Sequence, residues 1–244
     1  MPTPYSRKNF ALRAVVAVSL LEWEDRICAV AVVGGCNWRC PYCHGWRCIA
    51  DGAGKVDPDD FFRNLEKQAG WVDGVVFSGG EPTLQPGLED MARQAKGLNL
   101  QVKVHTNGSR PEVLSRLLGE GLLDCLCLDY KAPLDERLAA LAEASTEDLE
   151  AVRESFCLAA SCGIEREYRT TLCPGFIDTG TFEEMAGSLE SGGTWFLQQY
   201  EPGDCLDPAR AGKRRFTLEE LGDFEKAAGR KHPRVILRPG RFAP

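Results

Sequence analysis

The 244-residue chain has no run of about 18 consecutive apolar residues, so its sequence gives no membrane-spanning helix. Its first ten residues, MPTPYSRKNF, lack the apolar stretch of a secretory signal. Positive charge is in the minority: 29 Lys and Arg stand against 36 Asp and Glu, a formal net charge of −7. A nucleic-acid-binding domain needs a basic face. None is evident, and direct nucleic-acid binding is not expected. No internal repeat, low-complexity tract or linker interrupts the chain, and no second C-x2-C pair completes a zinc ribbon. These absences point to a cytoplasmic protein. In that reducing compartment clustered cysteines serve metals or chemistry more often than disulfides, and the odd count of 11 argues the same way.

What remains is an ordinary soluble composition, 43% hydrophobic and 27% charged, at a length that suits one α/β domain spanning 1–244. Apolar and β-branched runs read as strands at Ile27–Val33, Gly74–Phe77, Gln101–Thr106, Cys125–Tyr130, Glu165–Leu172 and Trp195–Tyr200. Helical signals lie between and after them. Asp57-Pro58 opens DPDDFFRNLEKQ, Pro111 opens EVLSRLLGEG, Ser145 or Thr146 caps EDLEAVRESFCLAAS, and Thr217 caps LEELGDFEKAAG. The alternation implies βα units around a parallel sheet. Six strands imply a partial (β/α)6 TIM-type barrel with its core at about 27–210. A short hairpin in RAVVAVSLLEWEDR precedes that core, and a helix with an extension follows it.

Four cysteines crowd into GGCNWRCPYCHGWRC: Cys36, Cys40, Cys43 and Cys48. The loop follows the first core strand, at the C-terminal mouth where βα barrels collect reactive groups. Cys36, Cys40 and Cys43, spaced C-x3-C-x2-C, can hold three irons of a [4Fe–4S] cluster and leave the fourth open. A zinc site, or a closed electron-transfer cluster using Cys48, is the alternative at this point. His44 reads as a loop side chain. A second motif, VFSGGEPT, ends the next strand: Gly79-Gly80 permits close backbone approach and positive φ, and Glu81 puts a carboxylate at the mouth. On the fourth strand Asp129 and Lys131 share a face, with Cys125 and Cys127 deeper on the same face. The two cysteines read as buried packing.

CNWRCPYCH, with Tyr42 before its third cysteine, and the GGE of residues 79–81 resemble the cluster loop and GGE motif of radical S-adenosylmethionine (SAM) enzymes. The ordered later motifs HTNG, LDYKAPL, RTTLCPGFID and LQQYEPG resemble the activating proteins of anaerobic ribonucleotide reductase, relatives of pyruvate formate-lyase activating enzymes. The resemblance spans roughly 27–210. It implies that Cys36, Cys40 and Cys43 are the metal ligands and catalytic residues, that Cys48 is not a ligand, and that SAM chelates the fourth iron. It implies a cofactor-binding set of Tyr42, Gly79, Gly80, Glu81, Thr106, Asn107, Asp129 and Lys131, with the GGE motif at the SAM amino group and Lys131 near its carboxylate. The implied reaction begins with a low-potential donor such as flavodoxin or ferredoxin. SAM is then cleaved to a 5′-deoxyadenosyl radical, which takes hydrogen from a backbone glycine of a large partner enzyme.

One position departs from the pattern. Activating enzymes of this type often read DTNG, whose aspartate helps hold a monovalent cation beside SAM. This chain has His105, and imidazole is a poor ligand for a hard ion. Two alternatives stay open: radical SAM chemistry on a small molecule, as in 7-carboxy-7-deazaguanine synthase, or on a peptide; and a four-cysteine iron–sulfur protein used only for electron transfer. Glu81 and the open-site spacing argue against the last.

Overall fold

The computed structural model describes residues 10–50, 55–68 and 70–240; the expectation about the extreme N-terminus, residues 1–9, lies outside them. Among the described residues eight strands form one sheet in chain order: β1 (Leu12–Ser19), β2 (Cys28–Val33), β3 (Gly74–Gly79), β4 (Gln101–Thr106), β5 (Cys125–Asp129), β6 (Glu165–Leu172), β7 (Thr194–Gln199) and β8 (Val235–Arg238). β1 pairs antiparallel with β2, so RAVVAVSLLEWEDR supplies one strand that forms a hairpin with the first core strand rather than a separate hairpin before it, and every later pair is parallel. β2 to β7 are the six expected barrel strands. The C-terminal extension adds β8, which the sequence reading did not separate from its surroundings. The result is a partial TIM-type barrel, open between β1 and β8.

Helices α1 (Trp46–Ala50), α2 (Pro58–Lys67), α3 (Leu88–Gly97), α4 (Pro111–Gly119), α5 (Glu136–Ala142), α6 (Thr146–Ser161), α7 (Thr179–Ser188), α8 (Pro208–Ala211) and α9 (Leu218–Gly229) make up the crossovers and the C-terminal segment. The expected caps are made. Asp57 accepts the Asp59 amide, and capping boxes join Ser145 to Asp148 and Thr217 to Glu220. Among the described residues no helix is long and apolar enough to cross a membrane.

Strand alternation sorts side chains into two environments. One set faces the helices. Val75, Phe77, Val102 and Val104 pack with Phe61, Phe62, Leu65 and Met91, and Leu126, Leu128, Trp195 and Leu197 pack with Phe182, Met185, Leu221 and Phe224. The other set faces the barrel interior and becomes polar toward the middle strands. Lys103, fully buried, donates to Glu167 Oε2 at 2.6 Å and to the Glu22 carbonyl at 2.7 Å. His105, Cys127 and Glu167 are register partners across three adjacent strands. Trp23, fully buried in the β1–β2 connection, packs against Cys28, Val30, Val76 and Cys125 and closes the interior from below. Cys125 and Cys127 are buried there, as expected.

Candidate active site

The cysteine loop is held to the barrel mouth by its own backbone and by one anchored aromatic. The Arg39 amide donates to the Ala142 carbonyl at 2.7 Å, the Cys43 amide to the Cys40 carbonyl at 3.0 Å, and the Leu206 amide to the Cys43 carbonyl at 3.1 Å. Trp38 is buried in a cluster with Leu138, Leu141 and Val152 beneath the loop. So fixed, Cys36, Cys40 and Cys43 line one cleft of about 270 Å³ together with Tyr42, Gly79, Gly80, Glu81, Asn107, Asp129 and Lys131. Cys48 belongs to α1 and does not line it.

The donor set fits an iron–sulfur cluster. Burial pushes the Cys36 thiol up to about 12, with Glu81 adding to the effect, and the Cys40 thiol up to about 11. Burial raises Cys43 too, against the pull of Lys131. Three poorly ionised thiols at one cleft are proton-bearing until a metal compensates their charge, and soft sulfur ligands suit iron–sulfur centres. With Cys48 outside the cleft, the fit is three ligands and an open position.

Glu81 is nearly fully buried and tied to two loops. Its Oε1 accepts the Thr83 amide (3.0 Å), the Thr83 hydroxyl (2.6 Å) and the Thr106 hydroxyl (2.7 Å); among the described residues its Oε2 accepts only the Asn107 amide (2.8 Å). Burial raises its pKa while these bonds restrain the rise. A carboxylate oxygen offers about two lone-pair sites, so Oε2 has room for one more donor. The neighbouring glycines need a different explanation from close ligand approach alone. Gly79 has φ +110°, and a Cβ there would lie 2.7 Å from the Val33 backbone; at Gly80 it would lie 1.8 Å from the Gly35 carbonyl oxygen. The chain's own β2 turn excludes side chains at both positions.

The remaining expected residues divide. Asp129 Oδ2 accepts from Lys131 Nζ at 2.7 Å. Burial works against the Lys131 charge, but Asp129, then Cys40 and Tyr42, outweigh it and raise its pKa. Asn107 Nδ2 donates to Asn37 Oδ1 at 3.0 Å, linking the cleft to the cysteine loop. Thr106 is buried behind Glu81 and does not line the cleft, so it supports the site from beneath. Arg169, Thr171 and Gln198 line the cleft and were not singled out from sequence. Signals existed: Arg169 and Thr171 lie in RTTLCPGFID and Gln198 in LQQYEPG, and the alternation in EREYRTTL puts Glu167, Arg169 and Thr171 on one face.

Three thiols at the C-terminal mouth of a partial barrel, with no fourth lining their cleft among the described residues, are the donor set that an iron–sulfur enzyme with an open coordination position would need. The chain belongs to the radical SAM superfamily, whose family model matches residues 30–189. It is an enzyme of that superfamily, whose members use a [4Fe–4S] cluster and SAM. It is similar, at 28% identity over 227 residues, to a Methanocaldococcus jannaschii protein provisionally named a glycyl-radical enzyme activating enzyme; the match covers 92% of this chain and 94% of that one. Among solved structures, Streptococcus suis SuiB bound to S-adenosylmethionine superposes with a TM-score of 0.66 at 13% identity, covering 86% of this chain and 49% of that chain. A domain of pyruvate-formate lyase-activating enzyme from Bacteroides vulgatus gives a TM-score of 0.52 at 17% identity, covering 68% of this chain and 99% of that one. At these identities the structural likeness is one of fold.

Proposed function

We propose that the chain is a glycyl-radical activating enzyme and that its partner is an anaerobic ribonucleotide reductase. The observation that carries this reading is the nearly end-to-end similarity to a relative named for glycyl-radical activation, over 92% of this chain and 94% of that one. Cys36, Cys40 and Cys43 would hold the cluster. When bound and reduced by a low-potential donor such as flavodoxin or ferredoxin, the cluster supplies the electron that cleaves SAM and releases the hydrogen-abstracting radical.

The protein's own groups orient and enclose SAM. Glu81 Oε2, with one acceptor position unspent, suits the SAM ammonium, and the Lys131 ammonium beside Asp129 suits its carboxylate. Tyr42, buried beside the cysteines, is in edge contact with Phe176 and Tyr200 and keeps water from that wall. Asn107 ties the cysteine loop to the β4 turn. The unpaired gap between β1 and β8 supports entry of a glycine-bearing loop from a large partner.

The test is electron paramagnetic resonance of the anaerobic, reduced, SAM-loaded protein mixed with the cognate reductase. A glycine-centred doublet is expected, and it should vanish in the Cys36→Ala, Cys40→Ala and Cys43→Ala variants. The folded partner should outperform a short glycine peptide, since contacts remote from the reacting carbon contribute binding energy to the transition state. No doublet with any reductase or lyase encoded nearby, together with strong stimulation of SAM cleavage by a small molecule, would replace this reading with small-molecule chemistry.

A further inference from the structure

The likeness to activating enzymes implies a monovalent cation beside SAM, held by the aspartate of a DTNG sequence. The residues present here do not fit one. His105 stands in the aspartate's place, and its imidazole is kept neutral, well below its usual pKa, by burial and then by Arg169 and Lys103. The space an ion would need is next to a positive charge. Arg169 Nη1 donates to His105 Nδ1 at 2.7 Å and lies 3.5 Å from Glu22 Oε2. Arg169 is also the register partner of Asp129 and lines the same cleft as Asp129 and Lys131. Arg169 occupies Nδ1, Nε2 has no hydrogen-bond partner among the described residues, and the ring offers no oxygen of the kind a hard alkali ion prefers.

The guanidinium has capacity to spare. Its Nε–H is buried and has no partner among the described residues. Burial disfavours its charge, but Cys127, Asp129, Glu22 and Glu167 outweigh that, so it stays protonated. A fixed guanidinium offers a directional, permanently charged donor set. A hydrated alkali ion would have to be drawn from solution and stripped of water.

We propose that Arg169 is the resident cation of the SAM site, taking the place of an exchangeable monovalent ion, with His105 as its cradle. This rests on reading the cysteine-lined cleft as the SAM site. It assigns binding work to a residue outside the expected cofactor-binding set, at the start of RTTLCPGFID, and makes SAM affinity indifferent to the alkali ion in the buffer.

The experiment is calorimetry of SAM binding to the cluster-reconstituted chain in potassium, sodium, lithium and choline chloride at equal ionic strength. The dissociation constant should agree within about twofold in all four salts. Arg169→Gln should weaken SAM binding about tenfold or more, the worth of one charge-assisted hydrogen bond, with the cluster spectrum retained. Arg169→Lys should retain part of the affinity. The double variant His105→Asp with Arg169→Ala should bind SAM weakly in choline and regain affinity in potassium. Binding by the unaltered chain that collapses in choline and returns with potassium overturns this proposal alone. So does an Arg169→Gln variant with unchanged affinity. Absence of SAM binding in every salt overturns the SAM-site reading and this proposal with it.

Discussion

Glu81 is the residue whose replacement should be felt both in folding and in the site. Glu81→Ala removes the acceptor of four hydrogen bonds. The hydroxyls of Thr83 and Thr106 can turn toward other acceptors, but the amides of Thr83 and Asn107 cannot, and both residues are buried. Each orphaned buried donor costs about 1–3 kcal/mol, so the alanine variant should lose about 2–6 kcal/mol. That is a large part of the roughly 5–15 kcal/mol that holds a domain folded. Glu81→Gln separates the effects. Its carbonyl oxygen can serve the three donors now on Oε1, while its amide nitrogen meets the Asn107 N–H donor to donor. One charge-assisted bond is then lost, about 1.5–3 kcal/mol. Because Gln also cannot accept the SAM ammonium at that atom, SAM affinity should fall by about tenfold. Urea unfolding of the metal-free chain reads the first effect, with midpoints compared at unchanged m. Calorimetry on the reconstituted Gln variant reads the second. An alanine variant within about 0.5 kcal/mol of the parent would refute the four-bond geometry. Unchanged SAM affinity in the Gln variant would remove Glu81 from the ammonium.

Three further outcomes are expected. Alanine at Cys36, Cys40 or Cys43 should abolish the [4Fe–4S] absorption of the anaerobically reconstituted protein, while Cys48→Ala leaves it nearly intact; equal loss at Cys48 would sink the open-site arrangement. Lys103→Met strands the buried Glu167 carboxylate and should destabilise by about 3–5 kcal/mol, whereas Lys103→Met with Glu167→Leu should recover most of that; a double variant no better than the single contradicts the buried pair. His105, held neutral in the fold, gives stability that is present above pH ~6.5 and lost as pH falls, because the unfolded imidazole then binds the proton that the folded one refuses. His105→Gln should flatten the fall in urea midpoint below that pH, leaving the smaller share of His232, which burial also depresses; an unaltered slope counts against the assignment.

The sequence by itself determined the alternation of strand and helix, the capped helix starts and the three-cysteine loop, because each is written within a few neighbouring residues. Asp57, Ser145 and Thr217 announce their helices in this way. α3 escaped notice although Leu88, Met91, Ala92 and Ala95 carry the helical period, since its N-cap is Gly87 with no side-chain bond to mark the start. β8 is four half-buried residues whose identity as a strand comes from pairing with β7. Parity indicated which residues look inward, but not that the interior is charged: Lys103 meets Glu167 across 64 positions of chain. The site is assembled the same way. Glu81 meets the Asn107 amide 26 residues on, and Arg169 reaches His105 from 64 residues away. Tertiary structure alone decided these meetings, because side-chain chemistry is local to a residue, whereas the neighbours that compensate a buried charge are chosen by strand order and register.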